Sequence, residues 1–365
     1  MHDLAKVTRI QNIVPIRGMD RIELAKVENY DSVVQKGEFK SGDRCVYVFY
    51  DSILPPVEEF EFLRKRCWSE KDKGFRIRPM KLGGVISEGL VLPMSILPEG
   101  EYKDGQVVTE LLGIRLYEPP EEPITFMPGM MPWQERLRRI LMKVPFTRAL
   151  GKKIPRLNLD YPIRVPKPDE DNIEALWDSV TGTGLTTWTV TEKVEGQSAT
   201  YILRGNVLEV YSQNRRVFDG PWMKYALDHK LKRKMLRYCD STGRKGLVIQ
   251  GELCGPGIQK NVYGFSGLRF FVFGILELDG ERLGTFWMSE ISNDLGLETV
   301  PVICRDKSLC STIEMVLADC KGRSKLADVP REGLVWRANG SDLHFKAKSR
   351  EYKVWYDRRN ADEES

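Results

Sequence analysis

Lys193 stands in the tetrapeptide Lys193-Val194-Glu195-Gly196, and three further islands follow it in order: GELCGPGIQKN from Gly251, EGLVWR from Glu332 and HFKAKS from His344. A lysine can attack the α-phosphate of a nucleotide if its amine is neutral, and nearby cations favour the free amine. Lys346 and Lys348 are the candidate cations, and they would also offset the charge that spreads over phosphate oxygens during transfer. Glu252 and Glu332 are candidate carboxylates for a divalent metal, since magnesium takes few carboxylates and keeps most of its waters. K-x-E-G alone is common by chance. The ordered set carries the reading.

Local patterns show how the chain could bring these groups together. From Leu343 to Ser349, strand alternation puts His344, Lys346 and Lys348 on one face and Phe345 and Ala347 on the other. In EGLVWR the same period groups Glu332, Leu334 and Trp336 away from Val335 and Arg337. LVIQGEL around Glu252 reads as a strand. So does WTVTE before Lys193, while SATYILRGNVLEVYSQN reads as two strands around a turn at Gly205 and Asn206. Lys193 is therefore expected in a loop between strands. DEDNIEALWDSV reads as a helix, and HKLKRKMLRY as a second, basic one.

The set resembles the covalent nucleotidyltransferase superfamily of polynucleotide ligases and capping enzymes, and GPGIQKN looks like the RNA ligase branch that seals nicks in duplexes. The resemblance implies that Lys193 is the adenylylated lysine and that Ser212, Gln213, Asn214 and Arg215 form the second motif. It makes Glu252 and Glu332 the acids of the third and fourth motifs, and Lys346 and Lys348 the paired lysines of the fifth. Phe270 in LRFFVFGI aligns with the aromatic that stacks on adenine, with Phe271 or Phe273 the alternatives if the register slips. Glu195 would join the nucleotide contacts, and Arg215, Gln259 and Lys260 are candidates for phosphate and RNA. The implied cofactors are ATP, with AMP held covalently, and Mg2+ or Mn2+.

The stretches IRGMDRIELAKVENYDSVVQKGEFKSGDRCVYVFYDSILPP and RIRPMKLGGVISEGLVLP resemble the OB-type module that precedes the ligase domain in the RNA ligase 5 family. The implied fold class is α+β: an OB-type β-barrel over residues 1–116, a linker and basic helix over 117–161, and an ATP-grasp-like nucleotidyltransferase domain of antiparallel sheets and helices over 162–365. Three positions depart from the family pattern. Glu195 replaces the usual aspartate, Asn172 stands where an arginine is expected, and the second motif reads SQN, where Arg215 or Arg216 could substitute.

Composition agrees with these expectations. The chain has 365 residues, 41% hydrophobic and 30% charged, enough for two globular domains. A net charge of +4 is compatible with a nucleic-acid ligand without requiring one. The seven cysteines form no C-x-x-C pair, which points to neither disulfides nor a zinc ribbon and suits a reducing, cytoplasmic setting. No apolar run is long enough to span a membrane, and MHDLAKVTR does not read as a signal peptide. EPPEEPITFMPGMMP reads as a linker. Between Gln134 and Arg156 eight basic residues stand against Glu135, with Leu137, Ile140, Leu141 and Val144 at helical spacing. That helix could face RNA, but a solvated or packing face is the plainer reading.

The expected activity is joining of RNA 3′-hydroxyl and 5′-phosphate ends, at nicks, by a monomer. A GTP-using capping guanylyltransferase or a DNA ligase would share the lysine but resembles chains with an OB domain after the fifth motif. Here 17 residues follow Lys348. A non-catalytic RNA-binding protein on the same fold would lack Lys193 or a clamp lysine.

Overall fold

The computed structural model describes residues 3–117, 133–143, 145–154, 159–184 and 187–363. The linker expected over Glu118 to Pro132 lies outside them, as does Val144. The chain divides into two compact units, one made of Met1–Glu121 with Arg350–Ser365 and the other of Glu122–Ser349. The final segment thus belongs with the first unit, where the sequence reading grouped it with the second.

In the first unit, short alternating runs pair as two antiparallel sheets and a separate two-stranded one, Met80–Leu82 with Val85–Ser87. One has the order Leu90–Pro93, Arg44–Val48, Ala5–Pro15, Ile22–Val27, Tyr30–Gln35. The other runs Arg115–Leu116, Ser52–Leu54, Gly74–Ile77, Trp68–Ser69. Ala5–Pro15 shifts register between Ile10 and Asn12. Such an irregularity bends a strand and lets it serve a curved sheet. Leu4, Val7, Val46, Phe60, Phe75 and Leu92 fill the interior. The helix Arg350–Glu363 is tied to this unit through Arg350, which pairs with Asp31 at 3.1 Å and Glu88 at 2.9 Å.

The second unit contains two sheets. Val302–Lys307, Trp188–Lys193, Gly333–Ala338 and His344–Lys348 form an antiparallel four-stranded sheet in that order. Its Trp188, Val190, Leu334, Trp336, Phe345 and Ala347 are buried against Ile173 and Val180 of the helix Ile173–Thr181, and Ile313 and Val316 of the helix Ile313–Asp319. Thr312 caps the latter helix, its hydroxyl accepting from the Met315 N–H at 3.3 Å.

The other sheet has the order Val207–Tyr211, Gln197–Arg204, Gly246–Cys254, Arg269–Leu276, Glu298–Thr299, with only the last pair parallel. The helices Gly220–Asp228, Leu231–Thr242 and Thr285–Leu295 cover one face, where Tyr201, Leu231, Met235, Ile249, Phe270 and Ile291 share a core. One face of each sheet is thereby sealed by helices. The other faces carry Lys193, Glu252, Lys346 and Lys348, and that of the second sheet also holds a smaller core of Ile202, Tyr211, Val248 and Leu276 with Tyr161 and Val165. Residues 194–196 pass between the sheets, joining Trp188–Lys193 to Gln197–Arg204. The basic segment forms the helices Trp133–Lys143 and Arg148–Lys153, with Glu135 held by Arg138 and Arg139 at 2.7 and 3.0 Å.

Candidate active site

Pairing register aligns the motif lysines. Lys193 lies opposite Gly333, and Gly333 opposite Lys348, so the three occupy one row across adjacent strands. Directly opposed residues share a face, and two strand spacings separate the outer pair by about 10 Å. Gly333 adds no side chain between the two amines. Lys346 lies one step along the same face, opposite Val335. The expected alternation of His344, Lys346 and Lys348 holds, with Phe345 and Ala347 buried.

Two expectations about the same strands are corrected. Lys193 is the last residue of a strand, not a loop residue. Glu332 precedes its strand and does not share a face with Leu334 and Trp336, which are core residues. Its position comes instead from the loop before it. Glu192, buried on the core side of the strand that ends at Lys193, accepts from Ser324 Oγ and from the Lys325 N–H at 2.8 Å. Arg331 donates to the carbonyls of Asp319 and Lys321 at 3.2 and 2.7 Å. Together they hold the turn that delivers Glu332.

Lys193 Nζ lies 2.6 Å from Glu332 Oε1, a half-buried amine against a buried carboxylate. Burial lowers the amine's pKa, but Glu332, Glu252 and Glu195 outweigh it and hold Lys193 above the usual lysine range. The expectation that Lys346 and Lys348 keep Lys193 neutral is therefore corrected: without nucleotide, carboxylates dominate and keep it protonated. Glu252 is pushed up to about 8 by burial, against the pull of Lys193, with Glu332 and Glu195 adding repulsion. Ser198 Oγ donates to Glu252 Oε2 at 3.2 Å.

The turn after Lys193 is built by close approach. The Glu195 N–H donates to Tyr263 Oη at 2.8 Å, and Cys254 Sγ to the Glu195 carbonyl at 3.3 Å. A Cβ on Gly196 would lie 2.4 Å from the Leu253 carbonyl oxygen and 2.9 Å from Glu252 Cγ. Only glycine fits there. GPGIQKN folds as successive tight turns, with Gly255 at φ +130° and its Cα facing the Gly267 carbonyl. Asn261 closes the segment by hydrogen bonding both backbone groups of Phe265 at 2.9 and 3.1 Å. Gln259 Nε2 reaches the Gly196 carbonyl at 3.5 Å.

Phe270 is not on the site side. It is fully buried in the helix-facing core beside Tyr201 and Tyr225, with ring centroids 5.1 and 5.5 Å away. Phe271 stands directly opposite Glu252 and shares its face. The ladder shifts between Gln250 and Gly251, leaving Phe273 as the extra residue opposite the shift. Phe271, one of the two alternatives to Phe270, is the ring that the register puts on the Glu252 face, and it is buried as fully as Phe270.

Lys346 is engaged by a residue the sequence reading did not single out. Its Nζ lies 2.7 Å from Asp169 Oδ1, and its backbone N–H donates to the Asp171 carbonyl at 2.9 Å. Arg337, on the same strand face, pairs with Glu170 at 2.9 Å. Asn172, where an arginine was expected, forms a parallel bridge with Lys346. Arg215 lies in the bend after Tyr211, its carbonyl accepting from the Ser212 N–H at 2.9 Å, and forms an isolated bridge with Asp160. Arg216 pairs with Glu209 at 2.9 Å. Lys260 is half-buried beside Gln259. Ser198, Tyr263 and Asp169 were missed because their relevance comes from pairing and turn geometry. Only the polar type of Ser198 at the start of its strand could have signalled a role.

Among the described residues no three His, Cys, Asp or Glu side chains converge as a ready-made metal site. Glu252 and Glu332 nonetheless suit a cation that takes its remaining ligands from water and phosphate. Glu332 Oε2 is buried without a hydrogen-bond partner, and Glu252 is driven toward its neutral form by burial. A divalent ion would relieve both costs.

A family model described as RNA ligase matches residues 186–353, and one described as an OB-fold domain matches residues 4–94. No curated protein matches the chain. Among solved structures, Naegleria gruberi RNA ligase with PPi is 27% identical, covers 96% of this chain and 98% of that chain, and superposes with a TM-score of 0.75. A mutant of that ligase with AMP and Mn is 27% identical with the same coverages and a TM-score of 0.76. Another mutant, with ATP and Mn, gives the same identity, coverages and TM-score as the AMP complex. Both parts of the chain match in order, and the solved relatives align over nearly its whole length: the chain carries an OB-fold domain followed by an RNA ligase domain, consistent with an ATP-dependent RNA ligase.

Proposed function

We propose that the protein is an ATP-dependent RNA ligase that joins an RNA 3′-hydroxyl to a 5′-phosphate, at nicks in duplexes, through a lysyl-adenylate on Lys193 and an adenylylated 5′-end. The observation that carries this reading is the row of Lys193, Gly333 and Lys348, with Glu332 2.6 Å from the Lys193 amine and Glu252 facing it. The solved relatives hold ATP or AMP with Mn, which supports ATP and a divalent cation, Mg2+ or Mn2+, for this chain. The free cysteines support a reducing, cytoplasmic setting, and the reading takes the protein as a monomer.

Lys193 Nζ attacks the α-phosphorus, the bond to pyrophosphate breaks, and pyrophosphate leaves before RNA enters. Lys346 and Lys348 hold the α-phosphate oxygens, so the nucleotide displaces Asp169 from Lys346. Glu252 and Glu332 would hold a divalent cation, which when bound would supply positive charge that offsets both carboxylates and the phosphate. With those carboxylates engaged, Lys193 loses the partners that retain its proton and can act as the free amine. Phe271, on the Glu252 face, is the ring placed to meet the base. The RNA 5′-phosphate then displaces Lys193 from the adenylate, and the 3′-hydroxyl displaces AMP. Arg215, Gln259 and Lys260 contact the RNA, and the OB-fold domain holds the duplex.

The test is covalent labelling with α-labelled ATP or GTP plus magnesium, followed by sealing of a nicked duplex with RNA on the 3′-hydroxyl side. Label from ATP, absent in Lys193→Ala, and a sealed product are the expected results. Label from GTP alone, or full labelling of Lys193→Ala, refutes the assignment.

A further inference from the structure

The helix Leu231–Thr242 carries a charge distribution that its own stability opposes. Residues 230–245 contain seven Lys or Arg against one acid, Asp240, an excess of six where the whole chain has +4. Lys230, Lys232, Arg233 and Arg237 are exposed. The first turn contains no acidic residue. Among the described residues no carboxylate pairs with these four, and the nearest upstream acid, Asp228, is taken by Lys224 at 2.7 Å.

Cations at a helix N-terminus meet the positive end of the dipole, and like charges four apart, such as Arg233 and Arg237, repel. Lys230, at φ +53°, is also in the left-handed region at the N-cap. A helix shaped only for packing would place acids there. The apolar side is fully used: Leu231, Met235 and Cys239 are buried with Ile249 and Phe270, on the face of the sheet opposite Glu252. The cations therefore point outward from the layer behind the cleft and cannot serve the nucleotide.

We propose that Lys230, Lys232, Arg233 and Arg237 form a tethering surface for the RNA phosphate backbone, separate from the catalytic cleft, which holds parts of the substrate away from the reacting ends. The proposal rests on the RNA ligase reading. A repeating phosphate chain is the occupant that complements four exposed, unpaired cations spaced along one helix and its N-cap. Binding releases counterions, so the patch contributes to affinity without reading sequence.

The test is the quadruple variant Lys230→Gln, Lys232→Gln, Arg233→Gln and Arg237→Gln in the full chain. Adenylylation by ATP is unchanged, and Tm holds or rises because helix repulsion is removed. The slope of log affinity against log salt for a long RNA duplex falls by about three to four, at roughly 0.9 per lost phosphate contact. KM for sealing a long nicked duplex rises at least about tenfold at constant kcat, and a short nicked duplex is unaffected. An unchanged slope overturns the proposal, as does binding of the patch to anionic lipid vesicles or an acidic peptide with RNA affinity intact. The duplex-binding measurement needs no chemistry. A protein that binds duplex through the patch yet seals nothing therefore refutes the ligase reading alone.

Discussion

Replacing Glu332 by glutamine separates two roles that a single carboxylate can play beside a nucleophilic amine. At 2.6 Å and an effective dielectric of about 20, the Glu332 charge favours the ammonium of Lys193 by on the order of 6 kcal/mol before the opposing cost of burial. Glu252 and Glu195 remain in Glu332→Gln, but burial then opposes them on more equal terms. The Lys193 amine should fall from above the usual lysine range toward neutrality. Its acylation by a small amine-reactive reagent, followed by mass spectrometry of the Lys193 peptide across pH without nucleotide, should be at least about tenfold faster than wild type near pH 7. Adenylylation should move the opposite way, falling by about 100-fold, because removing electrostatic stabilisation of the phosphate transfer costs about 3 kcal/mol. Faster acylation with slower adenylylation fits a residue that stores the proton and holds the metal. Unchanged acylation would refute the electrostatic account of Lys193. Faster adenylylation would show that Glu332 acts only as a brake.

Glu252, pushed up to about 8, binds a proton in the folded state that the unfolded chain releases near 4.5, so cation-free stability should fall as pH rises between those values. Glu252→Gln should flatten that decline, and added Mg2+ or Mn2+ should oppose it in wild type, as read from denaturant midpoints across the window. Phe270→Ala and Phe271→Ala should each cost ~3 to 5 kcal/mol of stability, since both rings are buried, but only Phe271→Ala should raise KM for ATP. A variant pair with these effects exchanged would reverse the assignment of faces. Arg350→Met should destabilise the first unit by about 3 kcal/mol because it leaves Glu88 buried without its cation; an unchanged denaturation midpoint would show that the pair contributes nothing.

The residue types proposed to do chemistry are named by the chain alone. A lysine, two acids and two further lysines lie in ordered islands, and the alternating run from His344 to Lys348 fixes its own facing because strand period depends only on backbone geometry. The hairpin at Gly205 and Asn206 and the helix Ile173–Thr181 were legible for the same reason. They arise from neighbours in sequence.

What tertiary structure decided was every relation between distant segments. Phe270 and Phe271 are the same residue type, and only the pairing of Glu252 with Phe271 puts one on the Glu252 face of the sheet and the other in the helix-facing core. Glu332 breaks its apparent alternation because the loop held by Glu192 and Arg331 positions it, not the strand that follows. The protonation of Lys193 reversed expectation because electrostatic energy depends on spatial distance: three carboxylates converge on it, while Lys346 is occupied by Asp169. Sequence determined which groups were available. The fold determined which charges meet, since pairing register and burial are properties of the assembled sheets.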